Sequence, residues 1–203
     1  MDAKGYRHNP PKAEHHYAYL LPEVLNVLHT RDSKRVFELG CGHGYVADML
    51  SKEGFDVTGV DPSEQGIALG RQSYPALKIY EGSAYDDLRA SFGTFPTVLS
   101  LEVVEHVYDP RAYAKTLYDL VESGGIAIVS TPYHGYFKNL AIAIAGKWDV
   151  HHSPLWDHGH IKFWSVRTLD KLLREAGFKL IEFRRVGRSL PALAKSMIAI
   201  AQK

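Results

Sequence analysis

Apolar positions in this chain follow two rhythms that alternate for most of its length. Short runs dense in Val, Leu, Ile and Phe predict strands of a buried, parallel kind. Between them, apolar residues recur every three or four positions, which predicts helices with one buried face. Helical spacing covers 19–29, where Leu20, Val24, Leu25 and Leu28 share a side. It returns at 45–52 through Val46, Met49 and Leu50, and at 64–73 behind Ser63, an N-cap residue. It returns again at 111–121 ahead of Gly124-Gly125, and at 166–176 ahead of Gly177. Strands fall at 35–39, 56–60, 77–80, 96–101, 126–130 and 179–185, the fourth nearly all apolar. Residues 197–201 alternate like a strand but carry helix-favouring alanines. Residues 1–16, polar and interrupted by Pro10-Pro11, predict an irregular arm. Alternation of this kind predicts an α/β fold, a doubly wound and mostly parallel sheet with right-handed crossovers and helices on both faces.

The rhythm breaks between 131 and 164, a connection far longer than the usual 2–6 residues. The break holds all three tryptophans and five of the eleven histidines: His134, His151, His152, His158 and His160. Insertions at the carboxyl end of such sheets build binding sites. Residues 131–164 are therefore expected to cap the site, with Tyr133, His134, Tyr136 and Trp164 as ligand contacts, joined by Tyr17 from the arm side. Within the insertion 140–145 is apolar all round. We expect a helix buried under the cap there; the competing reading is a greasy wall of the site.

Composition adds limits. With 203 residues, 45% apolar and 23% charged, the chain reads as one domain, 1–203, whose arm and first helix take 1–30. A formal charge of +1 gives no global pull toward nucleic acid or anionic membrane. A single cysteine, Cys41, excludes an internal disulfide and suits a reducing cytoplasm. No opening signal peptide and no apolar run of about 20 residues is present, so no spanning segment is expected; peripheral membrane contact stays open.

The densest chemistry begins at the first strand, Val36-Phe37-Glu38-Leu39-Gly40-Cys41-Gly42-His43-Gly44, and continues at Gly59-Val60-Asp61. Glycines at alternate positions let a ligand approach bare backbone. A carboxylate ending the next strand can accept from both ribose hydroxyls. A dinucleotide loop would need a third glycine where Tyr45 stands. Glu38 is a poor neighbour for pyrophosphate and a good one for a cation. The sulfonium and ammonium of S-adenosylmethionine meet that requirement. The run resembles motif I, E-x-G-x-G-x-G, of the class I S-adenosylmethionine-dependent methyltransferases. That resemblance implies a seven-stranded sheet of order 3-2-1-4-5-7-6, with 197–201 as the antiparallel last strand. It implies cofactor contacts from Glu38, Gly40, Cys41, Gly42, Gly44, Asp61, Pro62, Ser63, Ser83, Ala84, Leu101 and Glu102. Many members carry Asp where Ser83 stands, so Tyr85 or Asp86 is a substitute contact for the adenine. Cys41 reads as a small filler rather than a nucleophile.

After the fourth strand comes Glu102-Val103-Val104-Glu105-His106. If the chain turns helical there, positions 102, 105 and 106 share one face. Three readings stay open: ligands to a divalent cation such as Mg2+, a histidine general base (His106 or His160), or structural polar contacts. The element resembles that of ubiquinone-biosynthesis O-methyltransferases and of small-RNA 3′-terminal 2′-O-methyltransferases, both associated with a divalent ion. Gly159-His160-Ile161-Lys162-Phe163-Trp164-Ser165 resembles a downstream D-H-K-F-E-W-T-type segment of the RNA enzymes. The resemblance, covering roughly 36–183, implies His106, Glu105 and His160 as catalytic groups and Glu102, Glu105, His106 and His160 as metal ligands.

The function this implies is O-methylation of a small hydroxylated acceptor, a catechol or quinol or related molecule, yielding S-adenosylhomocysteine; metal-free N-, C- or O-methylation of a small molecule by a histidine base stays open beside it. Three alternatives were weighed. A nicotinamide dehydrogenase would use Tyr74 and Lys78 as a Y-x-x-x-K pair on one helix, which Pro75 prevents. An RNA methyltransferase needs phosphate contacts, but Lys138, Lys147, Lys162, Arg167, Arg184, Arg185 and Arg188 are scattered in sequence, so no stable nucleic-acid partner is expected. A non-catalytic cofactor-binding module leaves the histidine-rich insertion without a role. Monomer and homodimer stay open.

Overall fold

The computed structural model describes residues 15–157 and 159–203; the expected arm at 1–14 and His158 lie outside the described residues. Seven strands form one sheet: β1 (Arg35–Leu39), β2 (Asp56–Asp61), β3 (Lys78–Glu81), β4 (Phe95–Leu101), β5 (Val121–Pro132), β6 (Leu180–Val186) and β7 (Ser196–Gln202). Their order is β3-β2-β1-β4-β5-β7-β6. Pairs among β1 to β5 are parallel, while β7 runs antiparallel to both β5 and β6. The expected order and the antiparallel last strand are both present, so strand pairing overrides the alanines of 197–201.

Side chains alternate between two apolar layers. On one face, α4 (Leu88–Phe92), α5 (Pro110–Leu120) and α8 (Val166–Ala176) bury Leu88, Tyr113, Leu117, Leu169 and Leu173 against Phe37, Val98 and Val129. On the other, α1 (Tyr17–His29) and α2 (Tyr45–Lys52) bury Leu20, Val24, Leu28, Val46 and Leu50 against Val36, Leu99, Leu101 and Ile128. Each such side chain contributes about 1.5–3 kcal/mol of burial. The helix α3 (Glu64–Ser73) closes a smaller cluster of Cys41, Ile67 and Ile79.

Local chemistry sets the ends. Ser63 Oγ accepts from the Gly66 amide and starts α3. Asp109 caps α5 by accepting from the Arg111 and Ala112 amides, ahead of Pro110. Ser165 and Thr168 form a capping box on α8, which Gly177 ends with φ 117°. The five-residue α4 is too short to show a period; its signal is Asp87, whose side chain accepts from the Ala90 amide. Strand β5 starts earlier than expected because Val121 already pairs with Phe95 before the register shifts.

The insertion holds α6 (Tyr136–Ile144) and α7 (Trp148–His152). The expected buried helix at 140–145 is corrected here: α6 has no buried residue. It forms a single layer, with Ala141, Ile142 and Ala145 on an internal cavity and Leu140 and Ile144 toward solvent. Among the described residues, no helix is long and apolar enough to cross a membrane.

Candidate active site

A cavity of about 1370 Å³ opens at the carboxyl ends of the parallel strands. Gly40, Gly42 and Gly44 all take positive φ, at 84°, 55° and 81°, so the turn after β1 is one that L side chains rarely adopt. The Gly40 and Cys41 amides both donate to Val60 O, at 2.7 and 3.0 Å. The Gly42 amide donates to Asp61 Oδ2 and the Ser63 amide to Asp61 Oδ1, each at 2.8 Å. Asp61 therefore ties the glycine turn to the tip of β2.

Gly40, Cys41, Gly42, Asp61, Pro62, Ser63, Ser83, Ala84, Leu101 and Glu102 line the cavity, as does Tyr17, which stacks on Tyr45 at 5.4 Å. Glu38 and Gly44 do not line it. Glu38 lies beneath the turn, 2% exposed, and burial followed by the charge of Asp61 pushes its carboxyl up to about 8. Burial and the same two carboxylates raise the Cys41 thiol well above its ordinary value, which suits an inert filler. Of the two substitutes for an adenine contact, Tyr85 lines the cavity, while Asp86 holds the Ser83 amide at 2.7 Å.

Past β4 the chain makes a strained bend. Glu102 has φ 54°, outside the usual range for a side-chain-bearing residue. Its amide donates to Ser130 O and to Ser130 Oγ, and Ser130 Oγ donates to Glu102 Oε1 at 2.8 Å. The bend brings Glu105, His106 and His160 together, with a ligand atom from each within 4.8 Å of the others. His160 Nε2 stands 4.0 Å from Glu105 Oε1. The Ile161 and Lys162 amides both donate to Glu105 O at 3.0 Å, which fixes the His160 segment beside β4. The His106 and His160 rings meet edge-on at 4.8 Å. His106 Nδ1 lies 3.2 Å from Gly159 O. A carbonyl only accepts, so Nδ1 carries a proton and the ring is held by the Gly159 carbonyl.

Glu105 is 1% exposed and neither carboxylate oxygen has a hydrogen-bond partner among the described residues. Burial, then the nearby Glu102, raises its carboxyl well above the usual range. Burial and the neighbouring His106 push His160 down to about 4. A buried carboxyl near the Thr131 hydroxyl, beside the His106 ring and a neutral His160 imidazole, is a donor set that suits a divalent cation.

Four expected ligand contacts stand elsewhere. Trp164 is core, its Nε1 donating to Val104 O at 3.1 Å. Tyr133 bridges to Trp164, and Tyr136 points outward, 75% exposed. His134 is buried among His151, His152 and Phe163, and burial followed by the Lys138 charge holds it down at about 4. Their direction depends on how 159–164 lies against β4. The cavity instead takes Tyr19, Tyr108, Trp156, Lys138, Arg188 and Lys195. Arg188 and Lys195 come from the β6–β7 connection, for which the sequence carries no signal. Tyr74 ends α3 and Lys78 starts β3, so the Y-x-x-x-K pair does not share a helix.

A family model described as a methyltransferase domain matches residues 13–182. The chain belongs to the methyltransferase domain family. Within that family it is 34% identical over 152 residues to a ubiquinone biosynthesis O-methyltransferase of Cereibacter sphaeroides, and 35% over 156 residues to the enzyme of that name from Dinoroseobacter shibae. Each match takes 73% of this chain and 61% of the relative, so the chain spans about three fifths of the length of these curated relatives. Among solved structures, the methyltransferase domain of a bacterial protein named CtHen1 superposes with TM-score 0.69 at 21% identity, over 90% of this chain and 95% of that one. Magnesium protoporphyrin IX methyltransferase of Synechocystis, with bound S-adenosylhomocysteine, superposes with TM-score 0.68 at 19% identity, over 90% and 81%. These structural matches establish the methyltransferase fold.

Proposed function

We propose that this chain is an S-adenosylmethionine-dependent O-methyltransferase acting on a small hydroxylated acceptor, a catechol or quinol, with a divalent cation at Glu105, His106 and His160. The observation that carries this is the buried, unpartnered Glu105 carboxylate between two imidazoles, beside the glycine-turn cavity. Glu102, on the same bend, is the fourth candidate ligand.

Cofactor contacts follow from the turn. Asp61, on the cavity at the tip of β2, is the residue for the ribose hydroxyls, and Ser83, Ala84 and Tyr85 line the wall assigned to the adenine. The sulfonium methyl arrives activated, so the chain must align the acceptor with it and remove a hydroxyl proton. A bound divalent cation would lower the pKa of that hydroxyl. The Gly159 carbonyl holds the His106 ring, and His160 stays neutral at physiological pH. A base held near 4 is weakly suited to taking a proton from a phenol, which favours His160 as a ligand over His160 as a base. His106 carries the metal-free alternative.

The relatives named as O-methyltransferases support the O-methyl reading. The resemblance of 102–106 and 159–165 to segments of the small-RNA 3′-terminal 2′-O-methyltransferases keeps an RNA 3′-terminal acceptor as the second reading. Turnover of labelled methyl donor with catechols, quinols, hydroxy acids and short RNAs, with and without chelator, tests both. The expected result is ion-dependent methylation of a catechol or quinol. Chelator-insensitive turnover removes the cation, and turnover of RNA alone replaces the acceptor.

A further inference from the structure

Lys138, Lys147, Arg188 and Lys195 are scattered in sequence, yet all four line the same cavity. Lys138 and Lys147 lie in or just after α6. Arg188 and Lys195 come from the β6–β7 connection, carried there because β7 pairs with β5. No ion pair joins any of them to a described residue. The formal net charge is only +1, so this gathering is not the by-product of a basic chain.

Lys138 is fixed in place. Its Nζ donates to Tyr133 O at 2.8 Å and to Lys195 O at 3.4 Å, which leaves a third N–H. Burial, then the charge of Arg188, lowers its ammonium to about 8, so it remains mostly charged at neutral pH. The acidic cavity residues have other placements: Asp61 under the glycine turn, Asp109 capping α5, Glu102 on Ser130. Ala141 and Ile142 line the cavity from the same helix as Lys138.

We propose that this wall binds an oxyanion, a carboxylate or a phosphate, carried by the methyl acceptor on an apolar body. Convergent cations hold the charge, and the α6 side chains hold the apolar part. The inference rests on the reading of the cavity as a shared cofactor and acceptor site.

Calorimetry on the full chain saturated with S-adenosylhomocysteine tests it, with 3,4-dihydroxybenzoate, its methyl ester and 3,4-dihydroxybenzylphosphonate as probes. The acid is expected to bind at least tenfold more tightly than the ester. Lys138→Met and the exposed Arg188→Met should each weaken binding of the acid at least tenfold more than binding of the ester. A phosphonate tighter than the acid identifies phosphate as the anion. Equal binding of acid and ester, or binding of neither, overturns the inference. So does weaker S-adenosylhomocysteine binding in Arg188→Met, which would assign the cations to the cofactor's own carboxylate, or salt-sensitive binding of a short RNA in place of the acid. Absence of heat with S-adenosylhomocysteine itself would sink the function proposed above. Cofactor heat without a preference for the acid sinks only the oxyanion wall.

Discussion

The Gly42 amide donates to Asp61 Oδ2 at 2.8 Å, joining the turn after β1 to the tip of β2. The Ser63 amide takes the other oxygen. Both donors are fixed backbone, so the side chain must be an acceptor at both positions. Asp61→Asn presents an N–H to one of these amides and should fare little better than Asp61→Ala. Each lost bond to the carboxylate costs about 1.5–3 kcal/mol. Calorimetry should find S-adenosylhomocysteine binding weakened roughly a hundredfold in both variants. Wild-type affinity in Asp61→Asn would remove Asp61 from the cofactor site.

Gly40 combines φ 84° with a close neighbour: a Cβ there would lie 2.4 Å from Val103 Cγ2. Gly40→Ala is expected to lower the melting temperature and weaken cofactor binding. Adding Val103→Ala relieves the clash but not the backbone strain, so recovery should be partial. Full recovery would show that sterics alone reserve the position for glycine.

Glu105 carries the metal reading. If it holds a divalent cation, millimolar Mg2+ or Mn2+ should raise the melting temperature of the wild-type chain, and chelator should reverse the rise. Glu105→Gln should melt at one temperature with or without ion. In chelator it should be about as stable as wild type, because burial keeps the wild-type carboxyl protonated and the amide is its neutral isostere. Identical wild-type melts in ion and chelator would leave the site without a cation.

Glu38 makes stability depend on pH. Its folded value of about 8 lies above the ordinary 4.5, so between these values the folded chain holds a proton that the unfolded chain has released. The resulting stabilisation is fully present below 4.5 and is lost as pH rises through 8. Glu38→Gln should flatten that decline and gain a few kcal/mol on wild type above pH 8. Denaturant titrations at pH 5, 7 and 9 would show it; parallel curves would mean that Glu38 titrates normally.

Trp164 separates core from contact. Trp164→Phe removes the N–H that satisfies Val104 O, at a cost of about 1–3 kcal/mol. Melting should show this loss, while KM for the acceptor stays within about twofold. A large change in KM with little change in stability would return Trp164 to the site.

Local chain chemistry is enough for most of the scaffold. The bounds of β1, α2, α3 and α8 follow from apolar period, from Ser63 and Ser165 as caps, and from Gly177 as a stop. These are interactions within a few residues, so a single sequence carries them. The glycine turn and Asp61 are equally local, lying at strand ends whose parallel pairing brings them together. The family resemblance added the strand order and pointed to His160.

Direction and company across the chain required the fold. Period says that 136–144 is apolar; only packing shows that no second layer covers it among the described residues. Trp164, His134 and Tyr133 turn away from the cavity because the segment from 159 to 164 lies along the bend after β4. Lys138 and Arg188 become neighbours through the antiparallel placement of β7. A side chain's facing is set by what packs against it, and those partners stand tens of residues away in sequence.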